Sequence, residues 1–497
     1  MTDPAVPAAN ADPYLAIGVR PFINCASVRT MHGGSLMLPE VRAAMAAASR
    51  RYVNLDELME GAGRRIAELT GAEWGIVTCG SAAALALATA ACVAGNDPVR
   101  ILRLPFTEGW TRRVIMVSGQ RFAYDQAIRM VGTEIVEVDS VATLEAALAE
   151  PVAMVAVLGT HEAACALRLE DIVARTRPRG IPVLVDAASE HIARPDPWLS
   201  RGADMVIYSG GKFLRGPQTS GLLLGDKRLV QAAWRNASPH QAFGRGMKVS
   251  KEDVIGVLAA LEVWFGTRDA AAEMARWRGE LDEIAGWVAS VGAEAEVVEP
   301  RGVERVPRLV VRWDPAQVGL DGMGVRQALL DGEPRVMLDD NSALAGSVEI
   351  DPFGLQPGEA VEVGRALAAV LGAGRPAAVA APVVGLLEVS GEWEVLVQFL
   401  HGERRHRMLL HQDGDAITGR HVADQFEGEV VGRVDGPEVS LGLRARFEGS
   451  TISYRLEGTA ENGRMQGRVL LGSGSDGHLG PVNLSQFGTA RWEAVRV

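Results

Sequence analysis

Apolar and polar residues follow two different patterns along this 497-residue chain, and the change falls near residue 372. Before that point, apolar runs of a few residues are separated by stretches in which apolar residues recur with helical spacing. After it, short segments alternate apolar and polar residues and are interrupted by Gly and Asp. The first pattern predicts a mostly parallel sheet covered by helices, and the second predicts an antiparallel β domain.

The apolar runs of the first part predict strands at 23–27, 74–78, 113–117, 134–138, 154–158, 182–185, 205–208, 295–298, 308–313 and 333–337. The periodic stretches predict helices at 39–48, 55–69, 83–93, 124–130, 144–148, 169–175, 252–264, 269–290, 324–331 and 358–371. Pro39 suits a first helical turn, and Gly71 suits a helix end. In the last part, strands are predicted at 393–399, 407–412, 429–434, 439–447, 450–456, 465–471 and 490–497. With about eight strands, this part suits a small closed barrel or a sandwich.

These patterns divide the chain into five parts. We predict an N-terminal arm and helix at 1–50, a large α/β domain at 51–265 and a smaller α/β domain at 266–371. A Gly-, Ala- and Pro-rich linker follows at 372–386, and an all-β domain occupies 387–497. Since no catalytic constellation is visible in the all-β domain, a structural, oligomer-forming or accessory role is favoured there.

Composition narrows the class of protein. A formal charge of −12 argues against a broad nucleic-acid surface, because phosphate contacts require clustered Lys and Arg. The start of the chain lacks a secretion signal, and the apolar run 82–95 is too short to cross a bilayer. We therefore expect a soluble, cytoplasmic protein without membrane or nucleic-acid partners. The scattered cysteines, predicted to be reduced thiols, are Cys25, Cys79, Cys92 and Cys165.

Three chemically suggestive positions each follow a predicted strand, and such strand ends hold the ligands of open α/β sheets. Lys212 lies among glycines after the strand 205–208, where a neutral amine could form an imine with an aldehyde. The alternative is a surface turn with a solvated lysine. Gly80-Ser81-Ala82 opens a helix after the strand 74–78 and could bind an anion, although Ser81 could also simply cap that helix.

Asp186 directly follows the predicted strand 182–185. Lys212 lies 26 positions after Asp186. A buried carboxylate beside a pyridine nitrogen keeps that nitrogen protonated and makes the ring an electron sink. A helix cap or a loop charge is the alternative for Asp186. The spacing leaves room for one helix and one strand, so Asp186 and Lys212 can lie on neighbouring strands.

Taken in order, these segments resemble fold-type I enzymes that depend on pyridoxal 5'-phosphate (PLP). The resemblance is to the branch of bacterial selenocysteine synthase and D-glucosaminate-6-phosphate ammonia-lyase, and it covers roughly residues 14–370. The segments that carry it are Ile23-Asn24-Cys25-Ala26-Ser27, Gly33-Gly34-Ser35, Pro39-Glu40-Val41, Asp56-Glu57-Leu58, Thr70-Gly71-Ala72-Glu73, Gly80-Ser81-Ala82, Val185-Asp186-Ala187-Ala188 and Ser209–Gln218. Of these, the lysine segment through Gly216-Pro217-Gln218 is fairly specific, whereas the Gly-Ser turn is not.

The resemblance implies roles for residues of this sequence. Lys212 would be the Schiff-base lysine and Asp186 the partner of the ring nitrogen, both catalytic. Ser209 would contact the phosphate or position the lysine. The phosphate cradle would comprise Gly80, Ser81 and Ala82. The family usually places a flat side chain above the ring, and the candidates for that position are Gln120, Arg121 and His161.

Other polar residues are candidates for contacts beyond the cofactor. The substrate-binding candidates are Asn24, Arg29, Arg215 and Arg335. By sequence alone, Arg312 is as good a candidate as Arg335. The alternative for these arginines is a surface position. The resemblance implies that the connection 234–249, with His240, Arg245 and Lys248, approaches a partner subunit's site, and a solvated loop is the alternative there.

The function predicted is that of a PLP-dependent lyase acting on an amino acid or amino-sugar acid. Abstraction of the α-proton by Lys212 and loss of a β-substituent would give a keto acid and ammonia. Racemisation, transamination and β-replacement start from the same carbanion and stay open, as do seryl-tRNA selenium transfer and a non-catalytic scaffold. The resemblance also implies a homodimer or a larger homo-oligomer.

Overall fold

The fold is given by a computed structural model, which describes residues 12–301, 305–373, 387–474 and 482–497. Two compact units are distinguished within it. The first comprises Ser27–Trp277 and Glu299–Pro307, and the second comprises Met1–Ala26, Arg278–Val298 and Arg308–Val497. Each is considered by itself.

A seven-stranded sheet forms the centre of the first unit. Its strands are β2 (Trp74–Thr78), β3 (Arg113–Val117), β4 (Glu134–Val138), β5 (Met154–Leu158), β6 (Val183–Asp186), β7 (Met205–Ser209) and β8 (Gly221–Gly225). The spatial order is β2-β8-β7-β6-β5-β3-β4. Strand β8 is antiparallel to both of its neighbours, and all other pairs between β7 and β4 are parallel. The predicted mostly parallel sheet is confirmed.

The helices of this unit cover the sheet. They are α1 (Pro39–Ala48), α2 (Leu55–Thr70), α3 (Ser81–Ala94), α4 (Pro98–Arg103), α5 (Gln126–Arg129), α6 (Val141–Ala147), α7 (Gly159–Glu162), α8 (Leu169–Thr176), α9 (Pro197–Ser200), α10 (Lys227–Arg235) and α11 (Lys251–Gly266), with the start of α12 (Ala270–Ala289). The side chain of Asn54 caps α2, and Gly71 ends it in the left-handed conformation. Helix α3 is buried along nearly its whole length, as its alanine-rich apolar sequence predicts.

The second unit begins with two small sheets. Strand β1 (Ile23–Cys25) pairs in parallel with β11 (Val336–Leu338). Strands β9 (Glu294–Val298), β10 (Arg308–Arg312) and β12 (Ser347–Ile350) form an antiparallel sheet in the order β12-β10-β9. The helices here are α13 (Pro315–Val318), α14 (Gly322–Asp331) and α15 (Glu359–Gly372). Leu309, Val325 and Val363 are fully buried in a shared apolar core, as the predicted small α/β domain requires.

An eight-stranded antiparallel barrel forms the C-terminal part. Its strands are β13 (Gly391–Gln398), β14 (Glu403–Asp413), β15 (Ala416–Ala423), β16 (Phe426–Asp435), β17 (Glu438–Phe447), β18 (Ser450–Glu461), β19 (Arg464–Gly474) and β20 (Val482–Arg496). The barrel is closed because β13 pairs with both β14 and β20. Inward-facing Trp393, Met408, Ile417, Leu441 and Leu456 are buried. Of the two predicted architectures, the barrel is present.

Several elements were not predicted from the sequence. Helices α4 and α10 and strands β8, β12 and β15 are the clearest examples. Strand β8 is a three-leucine run between glycines, and so short a run does not distinguish a strand from a helix. In the described ranges, no helix is both long enough and apolar enough to cross a bilayer.

The buried imidazole of His406 in β14 predicts a pH-dependent stability of the barrel. Burial, together with His421 and Arg404, lowers the pKa of His406 to about 4 from its ordinary value of 6.5. Between these two values the unfolded chain binds a proton that the folded chain rejects, so stability falls as the pH falls from about 6.5 to about 4. The loss should reach about 3 kcal/mol.

Urea denaturation of the full-length protein at pH 7 and pH 5 measures this loss. In His406→Phe the midpoint of the barrel transition should change less between the two pH values than in the parent. Exposed His411 on the same strand provides the control, and His411→Asn should retain the parental dependence. Equal pH dependence in His406→Phe and the parent would contradict the assignment.

Candidate active site

The carboxyl ends of the parallel strands bring most of the predicted site residues to one edge of the sheet. Strands β2, β3, β5, β6 and β7 all end at that edge, because β8 alone runs in the opposite direction. The predicted residues that lie at or just beyond these ends are Gly80, Ser81, Ala82, Gln120, His161, Asp186, Ser209 and Lys212. Such an edge is where open α/β sheets bind ligands.

The turn after β7 holds Lys212 in a tightly closed loop. The amide of Gly216 donates to the carbonyl of Gly210 at 2.8 Å, and the amide of Arg215 donates to the carbonyl of Lys212 at 3.0 Å. A Cβ at position 211 would overlap the backbone of Gln218, so only glycine fits there. The glycines beside the lysine thus permit a close approach of two backbone segments, and the lysine is presented from a rigid turn.

Ser35 fastens this loop from the amino-terminal side. Its amide donates to the carbonyl of Gly211 at 3.0 Å, and its Oγ donates to the carbonyl of Lys212 at 2.7 Å. Nearby, the side-chain amide of Gln218 donates to the carbonyl of Thr30 at 2.9 Å. Sequence reasoning noticed Gly33-Gly34-Ser35 only as part of a family resemblance. Its contact with the lysine loop joins residues 177 positions apart, which no local pattern reveals.

The amine of Lys212 is half-buried and donates from Nζ to the Oγ of Ser189 at 2.9 Å. Burial lowers the pKa of Lys212, and the negative charge of Asp186 opposes this effect without cancelling it. A lowered pKa increases the fraction of neutral amine, which is the form that attacks a carbonyl or accepts a proton. Ser189 was not predicted, although it lies only three residues beyond Asp186.

Asp186 is the last residue of β6 and is 7% exposed. Its Oδ1 accepts a hydrogen bond from the amide of Ala188 at 2.9 Å. Burial raises the pKa of Asp186, while the Ala188 amide and the charge of Lys212 lower it, and the net change is upward. A buried carboxylate of this kind gains most from a cationic partner.

Glu190 adds a second buried carboxyl group that sequence reasoning missed. The indole Nε1 of Trp198 donates to its Oε2 at 3.0 Å, and a Cβ on Gly159 would overlap its Oε1. Burial, with a smaller contribution from Asp186, raises the pKa of Glu190 to about 7, against the charge of Arg305. The sequence signal that could have identified Glu190 was its position four residues after Asp186, in the same connection.

The start of α3 has the geometry predicted for an anion-binding cradle. Gly80 is the N-cap with φ of 106°, and no side chain caps the helix, so Ser81 does not act as its N-cap. The first amide groups of α3 therefore remain available to a ligand. Gly221 of β8 lies against Gly80 and pairs with both Thr78 and Ser209. The cradle is thus one strand away from the end of β7.

The three candidates for the ring-stacking position have different surroundings. Buried Gln120 accepts a hydrogen bond at Oε1 from the amide of Leu158 at 2.9 Å, and its Nε2 has no partner among the described residues. His161 is exposed in α7, with Nδ1 3.1 Å from the Oγ1 of Thr160. Arg121 is held by Asp125 and Glu137 at 2.6 and 2.9 Å. The stacking role of Gln120 or His161 stays a prediction.

Two of the four substrate-binding candidates lie in the first unit. Arg215 follows Lys212 in the closed loop with φ of 55°, and its Nε donates to the carbonyl of Leu36 at 3.1 Å. Burial lowers the pKa of Arg215. Arg29 precedes the segment that carries Ser35, and its carbonyl accepts from the amide of Gly34 at 3.0 Å.

Asn24 lies on β1, and Arg335 directly precedes its partner strand β11, in the second unit. The Oδ1 of Asn24 on β1 accepts from the amide of Ala26 at 3.0 Å. The guanidinium of Arg335 donates to the carbonyls of Leu330 and Arg20 at 3.1 and 3.0 Å. These contacts give Arg335 a structural task in its own unit, and its role toward a substrate stays a prediction.

The predicted partner-facing connection is held by hydrogen bonds around Asp56. His240 places Nε2 3.0 Å from the Oδ1 of Asp56 and Nδ1 3.0 Å from the carbonyl of Trp234. The indole Nε1 of Trp234 donates to the same Asp56 oxygen at 2.8 Å. This connection is therefore not a freely solvated loop around His240.

Known proteins resemble this chain over most of its length. It is 31% identical over 358 residues to a Salmonella typhimurium protein named D-glucosaminate-6-phosphate ammonia lyase, an alignment that covers 70% of this chain and 94% of that one. The chain belongs to this family. A solved structure of D-glucosaminate-6-phosphate ammonia-lyase matches the fold with a TM-score of 0.65 and 29% identity, covering 73% of this chain and 99% of that one. The predicted branch of fold-type I PLP enzymes is confirmed.

Two further relatives carry different names. A Streptomyces protein named 5'-C-glycyluridine monooxygenase-decarboxylase is 32% identical over 363 residues, which cover 69% of this chain and 88% of that one. A Moorella thermoacetica L-seryl-tRNA(Sec) selenium transferase is 25% identical over 408 residues, covering 71% and 82% of the two chains. No family model matches the chain.

The residues at the sheet edge fit PLP, the cofactor of this family. The uncapped start of α3 offers amide donors to a phosphate, and a Cβ at Gly80 would meet only open space. Asp186 offers a buried negative charge to a protonated ring nitrogen, and Lys212 offers an amine of lowered pKa. The Nε2 of Gln120, which has no hydrogen-bond partner in the part of the chain that the structure describes, lies at the same edge. Phosphate, ring nitrogen and aldehyde thus each find a complementary group.

Because Gly221 lies in close contact with the cradle, a substitution at Gly221 tests the geometry of the cradle. A Cβ at position 221 would overlap the backbone of Gly80 and press on the amide of Ser81. Gly221→Ala should therefore displace the start of α3, lower stability by about 1–3 kcal/mol and weaken PLP affinity about tenfold. PLP titration followed by absorbance measures the second effect. As a control, Gly61→Ala, where the added Cβ meets only the tip of Arg64, should leave PLP affinity unchanged.

Proposed function

We propose that this protein is a PLP-dependent ammonia-lyase acting on an amino acid or amino-sugar acid. The observation that carries the proposal is the Lys212 amine, whose pKa is lowered by burial at the same sheet edge as buried Asp186. A relative of 31% identity that bears the name of such a lyase supports the substrate class. When bound, PLP supplies an electron sink for the charge that develops at the substrate α-carbon.

The protein's own residues divide the remaining work. Lys212 Nζ accepts the α-proton in its neutral form, and its hydrogen bond to Ser189 Oγ fixes the direction of the amine. Asp186 holds the pyridine nitrogen in its protonated form by charge pairing. Ser35 keeps the loop that carries Lys212 in place. Because the loop already holds the amine in position, little conformational entropy is lost in orienting it for the reaction.

A β-hydroxylated substrate would lose water first and ammonia afterwards. The α-carbon loses a proton to Lys212, and the β-hydroxyl group leaves with a proton as water. The resulting enamine tautomerises and is hydrolysed by one water molecule to a keto acid and ammonia. The net products are one keto acid and one ammonia for each substrate, with no change in oxidation state overall.

A second candidate function has specific support. The relative named as a monooxygenase-decarboxylase is as similar to this chain as the lyase is. The same α-carbanion would then react with dioxygen rather than lose a β-substituent. Racemisation, transamination and β-replacement remain open for the same reason. Seryl-tRNA selenium transfer has weaker support, since those relatives are 25% identical or thereabouts and the chain is acidic.

The test is a screen of the PLP-loaded protein against D- and L-hydroxyamino acids and amino-sugar acids, including D-glucosaminate-6-phosphate. Equal amounts of ammonia and keto acid from one of these classes, with no dioxygen consumed, are expected. Dioxygen consumption with release of carbon dioxide would favour the second candidate. Turnover of seryl-tRNA without ammonia release would overturn the lyase proposal.

Localisation and assembly belong to the same proposal. All four cysteines are free thiols, which suits a cytoplasmic protein. We expect at least a homodimer without nucleic acid, as the resemblance to fold-type I enzymes implies. A fully active monomer in analytical ultracentrifugation coupled to activity assays would contradict the assembly.

A further inference from the structure

A polar cluster interrupts the apolar interior of the C-terminal barrel. Side chains on β14 alternate, so that Arg404, His406 and Met408 point inward while Arg405 and Arg407 are exposed. His421 on β15 faces inward beside them, opposite Met408. Phe426 of β16 and Tyr454 of β18 complete the group. We call Arg404, His406, His421, Phe426 and Tyr454 the barrel cluster.

The rings of the barrel cluster are in mutual contact. Phe426 lies 5.5 Å from His406 and 5.3 Å from His421, measured between ring centroids. Tyr454 lies 6.0 Å from His406 and 5.9 Å from Phe426. The guanidinium carbon of Arg404 lies 5.3 Å from the Phe426 ring centre. One cation, two imidazoles and two aromatic faces therefore meet in one place.

The imidazole of His406 leaves its hydrogen-bonding capacity unused inside the barrel. Its side chain is 3% exposed, and neither ring nitrogen has a partner among the described residues. The Oγ of Ser453 in the same barrel is likewise buried without a hydrogen-bond partner among the described residues, whereas the indole of Trp393 donates to the carbonyl of Val389 and that of Trp492 donates to the carbonyl of Glu457. An unpaired buried polar group costs free energy, and a bound ligand would remove that cost.

The barrel cluster lies toward one end of the barrel. Arg404 follows the β13–β14 turn, Phe426 follows the β15–β16 turn, and these turns are at the same end as the β17–β18 turn. The exposed apolar side chains Leu400 and Phe447 lie at two of these turns. Toward the other end the interior is filled by apolar side chains such as Trp393, Ile417 and Leu441. A ligand would therefore enter from the turn end.

We propose that this end of the barrel binds a small aromatic carboxylate. Arg404 supplies one positive charge for one carboxylate, and His406 supplies a hydrogen bond to an oxygen of the same group. Phe426 and Tyr454 supply faces for a flat apolar body. A metal is less well matched, because the described residues contain no group of three or more His, Cys, Asp or Glu side chains arranged to hold one.

The proposed site is separate from the PLP chemistry. More than a quarter of this chain lies outside the match to the solved ammonia-lyase structure, although 99% of that protein is covered. Lys212, Asp186 and the start of α3 lie in the first unit and the barrel in the second, so ligand binding by the barrel would be a separate role. Failure of one proposal would leave the other standing.

The probe is 2-naphthoate, and 2-naphthamide is its uncharged analogue. Isothermal titration of the full-length, PLP-loaded protein should show one saturable site for the acid and at least about tenfold weaker binding of the amide. Arg404→Gln keeps a polar side chain and removes the charge, and His406→Phe keeps a ring and removes both nitrogens. Each should weaken naphthoate binding by about tenfold or more.

Two controls define the location of the site. His411→Asn alters an exposed histidine on the outer face of β14 and should bind naphthoate as the parent does. Lys212→Ala should also bind it unchanged, which places the ligand away from the PLP site. Arg404 is only partly buried, so Arg404→Gln remains informative if His406→Phe does not fold. No saturable naphthoate binding up to millimolar concentration, equal binding of the amide, or unchanged binding in Arg404→Gln would overturn the proposal.

Discussion

Replacement of Lys212 by alanine should abolish ammonia release and remove the visible absorption of bound PLP. The amine is the group that the structure places at the sheet edge with a lowered pKa, a hydrogen bond to Ser189 and a loop fixed by Ser35. Its loss removes both the covalent attachment and the proton acceptor. We expect kcat to fall by about 10³-fold or more. Steady-state assays of ammonia release and absorbance spectra measure the two effects.

Lys227 provides a matched control for this experiment. It begins α10 just after β8, whose end lies at the opposite edge of the sheet, and its amine lies 4.3 Å from the Trp74 ring centre. Lys227→Ala should retain the absorption band and the parental kcat. A normal band and normal turnover in Lys212→Ala would show that another amine holds the cofactor and would remove the basis of the proposed function.

Replacement of Asp186 by asparagine should leave PLP bound but lower kcat by about 10²–10⁴-fold. Asparagine has nearly the same shape and still accepts the amide of Ala188, but it cannot hold a ring nitrogen in the protonated form. A second effect concerns the pH profile. Because the charge of Asp186 raises the pKa of Lys212 against the effect of burial, its removal should lower that pKa further.

The direction in which the pH profile of Asp186→Asn shifts can be measured. If neutral Lys212 is the base, activity rises with pH through its pKa, so the rising limb should move to lower pH in Asp186→Asn. Asp204 supplies the control, since it is a carboxyl at the opposite edge whose pKa burial also raises. Its Oδ2 accepts from the amide of Val183 at 2.8 Å. Asp204→Asn should alter stability more than the pH profile, and a full kcat in Asp186→Asn would contradict the role of Asp186.

Elements built from local signals were predicted well. Helix α2 has its Asn54 cap and Gly71 stop within its own segment, and β2, β3, β4 and β5 are compact apolar runs. Strand β8 was missed because its placement depends on long-range pairing with β2 and β7. Its antiparallel insertion, however, brings Gly221 against Gly80 and so shapes the cradle.

The candidate site shows the same contrast between residues with local sequence signals and residues defined by long-range contacts. Lys212, Asp186 and the Gly80 turn were found because each follows an apolar run and carries a residue type with distinct chemistry. Ser189 and Glu190 were missed, as was the contact of Ser35 with the lysine loop, because Ser and Glu are ordinary loop residues until burial and partners define them. The pKa of Glu190 is raised by burial in the fold, together with the nearby charges of Asp186 and Asp196.

The sequence by itself determined the alternation of strands and helices, the strand-like character of the C-terminal part, and the residue types that a PLP enzyme requires. These depend on side-chain periodicity and on single residues whose chemistry does not vary with context. Only the tertiary structure decided that β13 and β20 close a barrel, that Ser35 holds the lysine loop, and that His406 is buried without a hydrogen-bond partner among the described residues. Those facts depend on contacts between distant segments, where burial sets the free energy of a charge or a hydrogen bond.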